Sequence, residues 1–340
     1  MHKSLADQVL PQAVRDGLER LIGRHNMRRA TRKGLCSERT QQHRRDIILL
    51  SFAQLWQDGF RLETAKALKE KHVEHLIERW DAEGLSPSML HTRLSVLRTL
   101  SKWIHKQQVC KDLADYLPAE RIKRSTVART NLAWEGNGVE LAAVLQTAYA
   151  LNERFGLMLE LQHQFGLRAK EVIQFRPAEC YDNTLSALVV FEGTKGGRPR
   201  MIAVQTPAQK ALIKRVVEMV GATTTARLRW PDTTWRQAHR RYYHYMHRLG
   251  ATRAAMGVTG HGLRHGFAQA MYRRQTGLPT PIEGGDPKAL SRADHVTAGM
   301  TISREMGHGR IDVVASYYGS YGHAQRKVEM PSRMEVVFKR

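Results

Sequence analysis

Cysteine is almost missing from this chain: Cys36, Cys110 and Cys180 are the only three among 340 residues, odd in number and far apart. No CxxC pair occurs, so neither a zinc ribbon nor a disulfide framework is supported, and a reducing cytosol fits. No run of about eighteen apolar residues occurs, so no membrane span is expected. The opening MHKSLADQVLPQAV lacks an apolar signal core. Acidic residues are also scarce, 32 Asp and Glu against 54 Lys and Arg, for a formal charge of +22. No carboxylate cluster is evident, which counts against a metal-dependent nuclease, and neither a metal nor a cofactor is expected. The positive excess favours a polyanionic partner, most simply nucleic acid. It is spread through both halves rather than gathered in one amphipathic helix, which counts against a membrane surface.

The length suffices for two domains with cores of their own. The first 125 residues read as helices. Spaced Leu, Val and Ile give a short helical region over 1–24, and HNMRRATRKG at 25–34 is a basic connector. Ser37 can cap a helix over 37–59 whose apolar side is Ile47, Leu50, Phe52, Leu55 and Trp56. Another helix covers 71–84. The clearest runs over 86–108, with Ser86 as cap and Pro87 in the first turn. Leu90, Leu94, Leu97, Leu100, Trp103 and Ile104 line its inner side and leave His91, Arg93, Arg98, Lys102 and Lys106 largely outside. Those cations, with the basic run Arg121, Lys123 and Arg124, are the expected DNA-backbone contacts, against the bland alternative of a solvated face. Pro118 and the small residues nearby mark a connection between domains, with the linker set at 126–134 and the second domain at 135–340.

That second domain reads as helices at about 136–150 and 152–165, then a tight GLR turn that places Arg168 at a helix start with Glu171 three residues on. TLSALVVFEGTKGGRPRMIAVQT at 184–206 reads as strand, turn, strand, with Lys195 at the tip. Helices follow at 207–221 and 233–250. In TGHGLRHGFAQAMYRRQTG a further helix carries His261 and Arg264 on one face. Residues 278–300, rich in Pro, Gly and small residues, read as a partly irregular insertion with a short helix after Pro287. TISREMGHGRIDVVASYYG returns to helix, turn, helix, with His308 in the turn and Tyr317 nine residues later. The last twenty residues read as a short helix and a loose basic end.

This inventory suits reaction at a phosphodiester. Guanidiniums are planar, permanently charged forks that match phosphate oxygens. A tyrosine hydroxyl can attack phosphorus but needs acid–base help, which histidines and a lysine supply. No box is specific alone, and Tyr318 rivals Tyr317 on residue type. Taken in order, Arg168 in its GLR turn, Lys195 in a hairpin, the HxxR box of His261 and Arg264, the GH turn of His308 and the tyrosine nine residues on resemble the tyrosine recombinase family of phage and mobile-element integrases and chromosome-dimer recombinases. The resemblance covers nearly the whole chain, apart from an unusually long stretch between Arg264 and His308.

It implies a mainly α protein with a small β-hairpin or sheet in the C-terminal lobe: a helical core-binding domain, then a catalytic domain. It implies Tyr317 as nucleophile forming a 3′-phosphotyrosyl link, Arg168 and Arg264 as phosphate clamps and Lys195 as proton donor to the leaving oxygen. His261 would accept or orient the tyrosine proton, His308 would bond the phosphate and Glu171 would support the arginines. Double-stranded recombination sites, a homotetramer on DNA, accessory bending or directionality factors and a bacterial or phage cytoplasm, at the nucleoid, go with it. The competing classes are a type IB topoisomerase and a noncatalytic DNA-binding protein.

Overall fold

In a computed structural model of the chain, residues 4–30, 33–125, 127–184, 186–194, 197–286 and 289–322 are described. The chain divides into two compact units, Met1–Arg124 and Ser125–Arg340. Lys195 and the segment from residue 323 onward, with its expected short helix and basic end, lie outside the described residues.

The first unit is built from α1 (Leu5–Val9), α2 (Gln12–His25), α3 (Glu38–Gln57), α4 (Glu70–Ala82), α5 (Pro87–Trp103) and α6 (Ala119–Ile122). The starts of α3 and α5 are held as their sequence suggests: the Ser37 and Ser86 hydroxyls accept from the Thr40 and Met89 amides, and Pro87 occupies the first turn of α5. The core takes Ile48, Phe52 and Leu55 from α3, Leu76, Ile77 and Trp80 from α4 and Leu90, Leu94, Leu97 and Leu100 from α5. Burying such side chains stabilises by about 1.5–3 kcal/mol each. One polar tie crosses it: the Trp80 indole donates to Gln54 Oε1 at 2.8 Å. Val109, Cys110 and Leu113, where the sequence changes character, also belong to this core.

The second unit comprises α7 (Leu141–Leu151), α8 (Glu153–Phe165), α9 (Ala169–Ile173), α10 (Pro177–Cys180), β1 (Tyr181–Asp182), β2 (Ala187–Val190), β3 (Arg200–Ala203), α11 (Pro207–Val220), α12 (Trp235–Arg248), α13 (Gly260–Thr276), α14 (Arg292–Glu305) and α15 (Ile311–Tyr318). The strands form one antiparallel sheet in the order β1-β2-β3, with Leu188 opposite Ile202 and Val190 opposite Arg200. The fold is thus mainly α with a small sheet, as the sequence implied. Helix α13 is the axis of the unit, touching α8, α14 and α15. Trp134, which the sequence placed in the linker, is fully buried in this core and donates its indole N–H to the Thr259 carbonyl.

In residues 278–300 the helix expected after Pro287 is longer than the sequence suggested. Among the described residues the first half holds a 3-10 turn at Pro281–Glu283, and the second half opens the fourteen-residue α14. Ser291 caps that helix by accepting from the Asp294 amide. Its buried side is His295, Ala298, Gly299, Ile302 and Ser303. That spacing is helical, but polar and small residues occupy it, so an apolar stripe never shows. Gly299 has to be small, because a Cβ there would lie 2.7 Å from the Tyr318 hydroxyl.

Candidate active site

Four pieces of the second unit converge on the Arg264 guanidinium, which is wholly buried. Helix α8 ends at Gly166, in the left-handed region at φ 58°. A Cβ there would come within 2.4 Å of Phe267, so glycine is required both for the turn and for the approach of α13. Arg264 Nη1 donates to the Gly166 carbonyl and Nη2 to that of Met306, the first residue of the MGHG turn. Nη2 also lies 3.3 Å from His308 Nε2, and Nε donates to the Tyr317 hydroxyl at 3.4 Å. His308 sits between Gly307 and Gly309, both at positive φ, and its Nε2 is 3.1 Å from the Tyr317 hydroxyl.

These contacts assign the protons. A guanidinium only donates, so His308 Nε2 facing it must accept and carries the lone pair. The Tyr317 hydroxyl at 3.1 Å shares that one lone pair with Arg264 Nη2, while the tyrosine oxygen accepts from Arg264 Nε. A tyrosine so placed has a proton acceptor and a cation within reach of its oxygen. The sequence reading gave His261 the role of accepting or orienting that proton. In the structure the His261 ring lies 5.7 Å from the Tyr317 ring, centre to centre, and the contact falls to His308.

Arg168 stands at the N-cap of the short α9. Its N–H donates to Glu171 Oε2 and its Nη1 to Oε1, both at 2.7 Å. Glu171 is buried and also accepts from Arg200 Nη2 at 2.6 Å. Burial would raise its carboxyl, but Arg200 first, then Arg168 and Arg264, outweigh this and hold it below the ordinary carboxylate range. Two guanidiniums bond this one carboxylate, and that of Arg264 lies within its field. Burial, then the Arg200 and Arg168 charges, pull Arg264 down to about 10. It stays protonated at neutral pH, in a field that an arriving anion would relieve.

Three residues that the sequence reading left out of the site line it. His265 is buried, its ring centre 4.7 Å from that of Tyr317, and burial drives its imidazole down to about 4, so it is neutral at physiological pH. Gln269 donates to the Tyr317 carbonyl at 3.1 Å. With His261, Arg264 and His265 it follows the spacing of one helix face, a signal that was available. Arg200 is the third. It holds the inward register of β3 beside Ile202, and a charge in that position implies a buried partner. The outer part of the His261 residue is exposed. Loss of solvent over its inner side, then His265 and Arg264, hold the ring below the ordinary imidazole range.

The residues of the first unit expected on DNA divide. Lys102, Lys123 and Arg124 are exposed. Arg98 pairs with Asp112 at 2.6 Å, Arg121 is tied to Asp81 and Lys106 donates to the Lys66 carbonyl. Arg93 does not stand outside: its guanidinium lies 5.0 Å from the centre of the Trp80 ring, and its Nη1 is buried. Among the described residues no group of His, Cys, Asp and Glu is placed to hold a metal, and no helix is long and apolar enough to cross a membrane.

Two family models match the chain, phage integrase N-terminal over 21–110 and integrase over 123–270. Together they take in well over half of it. The fold resembles that of the Tn1549 transposon integrase solved with transposon right end DNA, at 14% identity and a TM-score of 0.54, over 92% of this chain and 98% of that one. It also resembles the lambda integrase dimer bound to a COC′ core site, at 16% identity and 0.55, over 94% and 99%. The lambda integrase tetramer bound to a Holliday junction matches at 17% and 0.54, over 94% and 82%. No curated protein matches in sequence. The chain belongs to the tyrosine recombinase family.

Proposed function

We propose that this protein is a site-specific DNA recombinase that cuts and rejoins strands through a 3′-phosphotyrosyl intermediate, integrating or excising a mobile element. The observation that carries the reading is the Tyr317 hydroxyl held between Arg264 Nε and His308 Nε2 at the edge of a cluster of three guanidiniums. Tyr317 Oη attacks the scissile phosphorus and the bond to the 5′ oxygen breaks. The phenolic proton passes to imidazole, with His308 in contact and His261 flanking. Lys195 protonates the leaving 5′ oxygen. Arg168 and Arg264 carry the charge that builds on the nonbridging oxygens. A 5′ hydroxyl of the partner strand reverses these steps, and the phosphotyrosine conserves the phosphodiester, so no nucleotide is consumed. Two duplex sites and four such centres make a homotetramer the working assembly, the state in which the lambda integrase relative was solved on a junction.

The experiment is covalent capture. The full chain is incubated with a pool of nicked duplexes of randomised sequence, denatured in detergent, and the strands that stay with the protein are sequenced. Capture with one enriched sequence is expected. Plasmid relaxation with no enriched sequence would indicate a topoisomerase, and DNA retention with no adduct a noncatalytic binder.

Binding supplies a second expectation. The net charge, the exposed Lys102, Lys123 and Arg124, and the outer face of α12 with Arg240, Tyr243, His244 and Arg248 suit a phosphate backbone. A protein making roughly six to ten phosphate contacts loses about a thousandfold or more in affinity between roughly 50 and 200 mM salt. Fluorescence anisotropy on the captured duplex checks this, and a flat salt titration would contradict backbone clamping.

A further inference from the structure

Arg200 is the one guanidinium of the cluster that no expected contact with DNA explains. It opens β3 on the inward side, is 5% exposed, and so is costly to bury unless it is fully engaged. Both of its Nη atoms are engaged, while its Nε is buried without a hydrogen-bond partner. Nη2 donates to Glu171 Oε2, the oxygen that also accepts the Arg168 backbone N–H. Nη1 donates to the carbonyl of Glu305, at the end of α14. Its stem lies against Gly307, where a Cβ would fall 2.7 Å from Arg200 Cδ. One side chain therefore joins the carboxylate that grips Arg168, the turn that carries His308 and the strand that leaves the hairpin bearing Lys195.

We propose that Arg200 is a positioning residue for strand cleavage, holding Glu171 in register for Arg168 and bracing the Gly307 turn for His308. The proposal rests on Tyr317 being the nucleophile. Arg200 touches no reacting atom; it acts through groups that do. Misplacement of such groups by about an ångström costs about a hundredfold in rate. The charged groups around the Glu171 carboxylate are Arg168 on its own helix, Arg200 from β3 and Arg264 from α13, and Tyr317 and Glu305 lie within electrostatic reach of Arg200. Arg200 is the strongest of the charges that offset the burial of Glu171. Without it the carboxyl titrates higher. As pH falls through that raised value Glu171 protonates and releases Arg168, so the rate lost is greatest on the acid side.

The test compares wild type, Arg200→Lys and Arg200→Met as full chains on the captured duplex. Duplex affinity, melting temperature and the single-turnover rate of adduct formation are measured from roughly pH 5.5 to 9. Affinity should stay within about threefold of wild type. The methionine variant should cleave about a hundredfold more slowly at neutral pH and worse still towards acid. The lysine variant keeps the charge but cannot span Glu171 and the Glu305 carbonyl together, so it should lose about tenfold with no added acid limb. Adding Glu171→Gln should abolish the extra acid limb of Arg200→Met. Wild-type rates in both variants would overturn the proposal, as would equal, pH-independent losses that track a fall in melting temperature. If Arg200→Met does not fold, the lysine variant decides: a tenfold loss at unchanged affinity supports the role, and a wild-type rate ends it. If wild type itself forms no adduct, the strand-cleavage reading fails and this proposal falls with it.

Discussion

Arg264→Ala is expected to leave binding of the captured duplex measurable and to lower the rate of adduct formation by at least about a hundred- to thousandfold, the usual effect of losing one transition-state donor. The expectation comes from what this guanidinium does before DNA arrives. It is wholly buried and donates to the Gly166 and Met306 carbonyls, so it ties the arginine turn to the histidine turn. It also donates to the Tyr317 oxygen and faces His308 Nε2. Alanine removes the charge that offsets a developing phenolate and leaves two buried carbonyls unpaired, each at about 1–3 kcal/mol. A fall in melting temperature should accompany the loss of rate. Arg264→Lys separates the two effects, since lysine can satisfy one carbonyl but cannot present a planar fork. It should recover stability more than rate. Adduct formation by either variant within about tenfold of wild type would remove Arg264 from the role assigned to it.

Much of this site was legible before any coordinates, for a physical reason. Arg168, His261, Arg264, His308 and Tyr317 lie at turns and on helix faces whose spacing along the chain is itself the motif. The parts that were not legible are those that depend on packing between distant segments. Arg200 looks like one more cation in a basic hairpin until β3 pairs with β2 and its register turns inward beside Ile202. Its partner, Glu171, is twenty-nine residues away. The choice between His261 and His308 as the neighbour of the tyrosine hydroxyl is likewise set by how α13 packs on α15, which no local pattern states. The same holds for α14, whose inner face is made of His295, Ala298, Gly299 and Ser303 as well as Ile302. Arg93 misled for the opposite reason: its position on α5 looked external, but its guanidinium lies over the Trp80 ring of α4 and its Nη1 is covered.

Tyr317→Phe should abolish adduct formation altogether while leaving fold and duplex affinity close to wild type. The substitution removes one oxygen. The ring keeps its neighbours, with His265, His308 and His261 at centre-to-centre distances of 4.7, 5.6 and 5.7 Å. The lost hydrogen bonds, to Arg264 and His308, are worth about 0.5–3 kcal/mol, so the protein should still fold. The neighbouring Tyr318 cannot substitute. Successive residues on a helix point about a hundred degrees apart. Tyr318 is 1% exposed, with its ring 5.1 Å from that of Tyr272, 6.0 Å from that of His295, and its hydroxyl against Gly299. Burial drives its phenol well above the ordinary range, so it is poorly disposed to give up a proton. Tyr318→Phe should therefore form adduct at a rate near wild type. Peptide mapping of the trapped complex on nicked duplex decides between them. Label on Tyr318 would overturn the choice of nucleophile, and adduct from Tyr317→Phe that maps to no tyrosine would overturn the covalent mechanism itself.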